Sequence, residues 1–265
     1  MKILYVDLKF DYGIKSRGIN YIGQDGILKS FITLGNEVVP FYYDEYLQNT
    51  HPMQNKLKNF ADEVRPDLIF FSLYSNQFEI DTLEYLKSKY VTINWFGDDQ
   101  WRFEEFSSKY AKYFSYCVTT DQYAIAKYKE LGQDNVIYSQ WAAIQTYQAP
   151  KFIGYQYDIV FVGAFHPYRK WFIDYLIKSN INVQIFGNGW PNGSVSIEKM
   201  NKLFISSKIN LNIGNSTSFD SRYLLSGIKP LINSFRSPKN KSQIKARNFE
   251  IPFFNGFQLS DYAPS

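Results

Sequence analysis

Hydrophobic and polar positions fall into blocks along this chain. Ile3–Leu8 is a continuous apolar run too short for a helix, which reads as a buried strand. Residues 20–34 place Ile22, Ile27, Phe31 and Leu34 at helical spacing, and Gly35-Asn36 supplies the stop. The same pair of patterns then repeats. Strands are predicted at Glu37–Tyr43, Asp67–Leu73, Val91–Phe96, Tyr116–Thr120 and Val136–Trp141. Helices are predicted over 53–64, 79–89, 103–113 and 122–131, the first ending before Arg65-Pro66 and the last at Gly132. Unbroken apolar strands separated by helices mean parallel pairing with helices on both faces, and right-handed crossovers then give a doubly wound α/β sheet.

Residues 145–156 interrupt the rhythm and carry the turn residues Pro150 and Gly154, as a linker would. A second series follows, with strands at Tyr157–Val162, Asn182–Phe186, Ile209–Ile213 and Phe257–Leu259. Its helices are predicted over 168–179, 196–206 and 244–254. Residues 214–243 are polar, contain Pro230 and Pro238, and predict a short helix and an irregular loop. Two domains are therefore expected, 1–150 and 151–265, which agrees with a chain of 265 residues at about 150 residues per domain.

Composition narrows the picture. Hydrophobic residues are 45% and charged residues 20%, which excludes a disordered or fibrous chain. The net charge of +4 is too small for a nucleic-acid coat, but leaves room for anionic ligands or weak association with an acidic membrane surface. One cysteine, Cys117, and two distant histidines, His51 and His166, supply no metal cluster, so no bound metal is expected. No apolar run is long enough for a membrane span and the start lacks a signal-peptide pattern, so a cytoplasmic protein is expected, peripheral at the inner membrane face at most.

In doubly wound sheets ligands sit beyond the carboxyl ends of the strands. In the first domain that rule selects the loops 9–19, 74–78, 97–102 and 121–123. The third of these contains Asp98-Asp99 between Trp95-Phe96 and Trp101. Adjacent carboxylates raise one another's pKa, which suits a general base, and they equally suit a helix cap. In the second domain the turn Gly163-Ala-Phe-His166-Pro-Tyr-Arg169-Lys170 leads from a strand into a helix. Its unpaired N–H groups, its glycine and its cations suit a phosphate; a turn with two solvated cations is the alternative. The loop Gly187-Asn-Gly189-Trp190 follows the next strand, where a flexible turn capped by an aromatic competes with contact to a nucleotide. Arg236, Lys239, Lys241, Lys245 and Arg247 form an acid-free run, and Glu250 stands three residues beyond it among apolar neighbours. A carboxylate there either accepts from ribose hydroxyls or forms a helix ion pair with a nearby cation.

The stretch Lys245-Ala-Arg247-Asn-Phe-Glu250-Ile-Pro-Phe-Phe-Asn-Gly256-Phe-Gln-Leu-Ser-Asp261-Tyr262 resembles the nucleotide-sugar motif of the CgeB-type, spore-maturation-like glycosyltransferases. Phe161-Val-Gly163 with Arg169, Phe186-Gly-Asn-Gly-Trp190 and Trp95-Phe-Gly-Asp98-Asp99 match in the same order. The resemblance implies a GT-B fold, two Rossmann-like domains facing a cleft, with a nucleoside-diphosphate sugar of UDP or GDP type held mainly by the second. It implies that Glu250 binds ribose hydroxyls, that Lys245, Arg247 and Arg169 face the diphosphate, and that Gly163, Gly187, Gly189 and Gly256 admit a close backbone approach. His166, Lys170 and Trp190 belong to the same donor-side set, while Asp98 or Asp99 would serve as base on the acceptor side. It further implies metal-independent transfer, with no permanently bound cofactor and no nucleic-acid partner. The acceptor would be a hydroxyl on a glycan, a lipid-linked sugar or a protein. Ser242 stands where the wider retaining group has a first Glu, Asn255 stands where Cys is common, and the family continues with helices beyond the position of Ser265, so a truncated chain is expected. A non-catalytic sugar-nucleotide or glycan binder descended from such a transferase is the competing expectation.

Overall fold

The computed structural model describes all residues except 145–147, 149, 217–219, 238, 240, 241, 264 and 265. Pro238, Lys241 and most of the 145–149 stretch of the expected linker thus lie outside the described residues. The chain divides into two compact units, Met1–Gln140 and Trp141–Ser265.

The first unit is a six-stranded parallel sheet. Its strands are β1 (Lys2–Asp7), β2 (Glu37–Tyr42), β3 (Leu68–Phe71), β4 (Val91–Phe96), β5 (Tyr116–Thr119) and β6 (Val136–Tyr138), in the order β2-β1-β3-β4-β5-β6. Its helices are α1 (Lys29–Thr33), α2 (His51–Val64), α3 (Ile80–Lys89), α4 (Asp99–Arg102), α5 (Ser108–Tyr110) and α6 (Ala124–Glu130). Residues 3–7 of β1 are all buried, as a central strand covered on both faces requires. α2 turns Met53, Leu57 and Ala61 inward, one per turn, and ends where Arg65 takes the left-handed conformation before Pro66.

Two predicted helices are not regular. The 20–34 stretch runs as a π-helix over Ile22–Leu28 before α1 begins. Gly23 lies within the irregular turn. A Cβ there would overlap the Asp7 carboxylate, so the backbone is pressed against the end of β1 at a point where only glycine fits. The 103–113 stretch likewise breaks into a π segment, Phe103–Ser107, α5 and a 3-10 turn, Ala111–Tyr113. The wider turn brings Phe103, Phe106 and Ser107 to the buried side together.

The second unit is a four-stranded parallel sheet of β7 (Tyr157–Val162), β8 (Val183–Phe186), β9 (Ser207–Asn212) and β10 (Gln258–Ser260), in the order β10-β9-β7-β8. Its helices are α7 (Pro167–Lys178), α8 (Ile197–Ile205), α9 (Ser221–Leu224), α10 (Ile228–Arg236) and α11 (Ala246–Phe253). One core layer packs Val160, Val162, Met200, Leu203 and Phe204 against Ile251 of α11 and Phe254 just after it. The other packs Phe161, Leu211 and Ile213 against Ile173 and Trp190. The 214–243 region resolves into α9 and α10 rather than one short helix. Both units are Rossmann-like α/β sheets, and each reverses strand order once, between β1 and β3 and between β7 and β9. Among the described residues no helix is long and apolar enough to cross a membrane.

Candidate functional site

In the second unit the reversal places the ends of β7 and β9 side by side, the position where doubly wound sheets open a crevice. Arg169, from the first turn of α7, spans that point. Its Nη1 donates to the Ala164 carbonyl at 2.9 Å, and its Nε donates to the Ile213 carbonyl at 2.9 Å and to Gly214 at 3.3 Å. Burial, and then the nearby Arg247, lower its pKa to about 10, partly offset by Asp261. Asp261, just after β10, accepts from the Gly214 N–H at 2.9 Å, and burial raises its pKa.

His166 precedes α7 and caps it: Nδ1 accepts from the Tyr168 N–H at 3.3 Å. A ring nitrogen that accepts carries no proton, so the neutral imidazole is protonated on Nε2. Burial lowers the His166 pKa to about 4, helped by the fields of Arg169, Lys239 and Lys245. The lesser part of both shifts comes from neighbouring cations, Arg247 on Arg169 and Arg169, Lys239 and Lys245 on His166. Beside them lies a pocket of about 280 Å³ lined by His166, Pro167, Tyr223, Asn233, Arg236 and Ser237.

α11 supplies the remaining charges. Glu250 is 2% exposed, and its Oε2 accepts from Arg247 Nη1 at 2.8 Å. Arg247 in turn lies against the Met200 sulfur and over the Phe204 ring. This is the helix ion pair that the sequence allowed for Glu250. Lys245 caps the same helix and reaches Asn215 Oδ1 at 3.5 Å.

The glycines singled out in the sequence, and Trp190, pack against the protein itself. A Cβ on Gly187 would sit 2.5 Å from the Gly163 carbonyl carbon, and one on Gly189 would sit 2.7 Å from Phe165 Cβ. The two glycines thus let the β8 loop close onto the β7 loop, where Phe165 N donates to Asn188 O at 2.7 Å. Trp190 is buried and its Nε1 donates to the Gly163 carbonyl at 3.0 Å. Gly256 is hemmed in by Asn210, Ile251 and Phe204. Lys170 points outward and pairs with Asp174 at 2.7 Å.

In the first unit Asp99 is 2% exposed and bound by three hydroxyls: Ser107 at 2.5 Å, Thr119 at 2.6 Å and Tyr128 at 2.8 Å. Burial raises its pKa to about 6 against the pull of these donors, so the three hydroxyls tie this carboxylate to β5, α6 and the 103–107 turn. Asp98 is partly exposed, and its charge acts on Tyr12. Tyr12 meets Tyr74 edge to face, and Arg102 donates to the Tyr74 carbonyl, so the loops 9–19, 74–78 and 97–102 do converge. Sequence reasoning passed over Asp7. It ends β1 at the reversal point, buried, with Tyr5 donating to Oδ2 at 2.6 Å and the Leu8 N–H to Oδ1 at 2.7 Å. Burial lifts its pKa to about 7. An acid closing an apolar strand was the available signal. Among the described residues no three His, Cys, Asp or Glu side chains gather as metal ligands would.

Residues 169–265 match the model of a family described as glycosyl transferase-like. The matched stretch lies within the second unit. No curated protein matches the chain. Among solved structures, a Listeria monocytogenes protein assigned as a UDP-N-acetylglucosamine 2-epimerase superposes with a TM-score of 0.51 at 7% identity, over 82% of this chain and 76% of that one. That likeness extends to the fold alone. A lipopolysaccharide outer core galactosyltransferase, WaaB, matches with a TM-score of 0.43 at 12% identity, over 80% of this chain and 73% of the other. The glycosyl transferase-like match begins at Arg169 and takes in Lys245, Arg247 and Glu250.

Proposed function

We propose that this chain transfers a sugar from a UDP- or GDP-type nucleotide sugar to a hydroxyl on a glycan, lipid-linked or protein acceptor. The observation that carries the reading is the convergence of positive charge on the β7–β9 reversal of a domain that matches glycosyl transferases. Breaking the bond from the sugar to the diphosphate leaves negative charge on the departing oxygens. Fixed cations that gain most once that charge has developed lower the barrier. Arg169 is held by three carbonyls and so needs no reorganisation to act. Glu250 holds Arg247 in place through Oε2 and, in this reading, accepts from the ribose hydroxyls. His166 adds a neutral Nε2–H donor at the pocket wall.

The test is calorimetry with UDP and GDP, followed by release of nucleoside diphosphate from their sugars. Lys245→Ala and Arg247→Ala should each weaken diphosphate binding by about 1.5–3 kcal/mol, as expected for a hydrogen bond to a charged group. Lys170→Ala should leave it unchanged. Binding without release, whatever acceptor is added, would identify a sugar-nucleotide binder instead. If no nucleoside diphosphate binds, the proposal fails.

A further inference from the structure

α10 has an apolar face that no part of the described chain covers. None of its nine residues is buried. Ile228, Leu231, Ile232 and Phe235 follow the i, i+3, i+4, i+7 pattern that collects side chains on one stripe of a helix. Their exposures run from 40% at Leu231 to 84% at Phe235, and Leu225 just before the helix is 85% exposed. An isolated exposed leucine needs no explanation, but four large apolar side chains along one helix face, with a fifth exposed just before the helix, mark a contact surface.

The charge around the stripe indicates what it meets. From residue 221 to 249 the sequence holds seven Lys and Arg and no Asp or Glu. Arg222 of α9 pairs with Asp220 and Arg247 of α11 with Glu250, so neither lies on α10. Lys229 and Arg236 remain on α10 itself, both exposed. They are seven residues apart and so lie nearly above one another along one edge of the apolar stripe. Long basic side chains beside an apolar face suit a layer with charge at its surface and hydrocarbon beneath. They would be poorly placed against a dry protein interface.

We propose that α10 docks this unit on an anionic lipid bilayer. The helix lies in the interfacial plane, with Leu225, Ile228, Leu231, Ile232 and Phe235 among the upper acyl chains and Lys229 and Arg236 at the headgroups. Asn233 and Arg236 also line the pocket beside His166, so docking sets that pocket at the bilayer surface. The inference does not depend on the reaction proposed above.

Flotation of the full chain with phosphatidylglycerol–phosphatidylcholine vesicles, against phosphatidylcholine alone, tests it. Binding is expected on the anionic vesicles, weak on the neutral ones, and reduced by salt. The Ile228→Ser, Phe235→Ser double variant should fold normally, because both side chains are exposed, and should lose at least about tenfold in vesicle affinity. Lys229→Glu with Arg236→Glu should lose binding while leaving the stripe intact. The proposal is overturned if the chain does not float with anionic vesicles, or if the serine variant floats as well as the parent. It is also overturned if the parent is a dimer that the serine variant dissociates while neither binds vesicles, since the stripe would then be a self-interface.

Discussion

Gly187→Ala tests how the donor-side edge is built. Gly187 has φ +139°, a conformation that costs a residue with a side chain about 1–3 kcal/mol. The new methyl would also meet backbone: it lies 2.5 Å from the Gly163 carbonyl carbon and nearer still to the oxygen. That carbonyl accepts the Trp190 Nε1–H, and the residue's N–H bonds the end of β8, so neither loop can yield freely. Overpacking of this kind adds about 1–3 kcal/mol. The sum, about 2–6 kcal/mol, is a large share of the 5–15 kcal/mol that holds a typical domain together. Gly193 is the control. It has φ +64° but open space around its Cβ position, so Gly193→Ala should cost only the backbone preference, about 1–2 kcal/mol. Urea unfolding followed by tryptophan fluorescence reads the difference, because Trp190 sits in the same loop. If Gly187→Ala falls within about 0.5 kcal/mol of Gly193→Ala, the loop-on-loop contact is not the reason for the glycine.

Two further outcomes follow. Asp7 and Asp99 have folded pKa values of about 7 and about 6, above the ordinary 3.8. Their contribution is therefore fully present below pH 3.8 and is lost as pH rises through 6 and 7. Urea midpoints of the first unit should fall over that window, and Asp7→Asn should flatten the fall; a midpoint that rises from pH about 4 to about 7 would contradict the assignment. For His166, nitrogen-15 NMR should show the Nε2–H tautomer, neutral down to a pH of about 4. The chain has only one other histidine, so His51→Gln gives the assignment directly. A His166 ring that carries its proton on Nδ1, or that charges near 6.5, would remove it as a neutral donor.

The ten strands were legible because central parallel strands must be apolar on both faces. Runs such as Leu68–Phe71 and Tyr157–Val162 leave little alternative. The helices were legible where the apolar spacing was regular and a stop was present, as at Arg65-Pro66. They were misread where the backbone departs from the regular helix, as over Ile22–Leu28. No local pattern reports that Asp7 lies against Gly23, and the apolar spacing over 20–34 fits a regular helix as well as a π turn. The glycines of the 187–189 loop were visible as special positions. Whether such a glycine admits a ligand or another loop depends on what faces it, and the sequence does not say.

What the residues alone determined is the periodicity: two parallel α/β units, with cations and turns at the carboxyl ends of the second sheet. Tertiary packing decided the electrostatics. It buried Asp99 under three hydroxyls, joined Glu250 to Arg247, set Arg169 across the β7–β9 reversal and left the apolar stripe of α10 facing outward. Burial and pairing energies depend on distances between groups far apart in the chain, and those distances exist only once the sheets have formed.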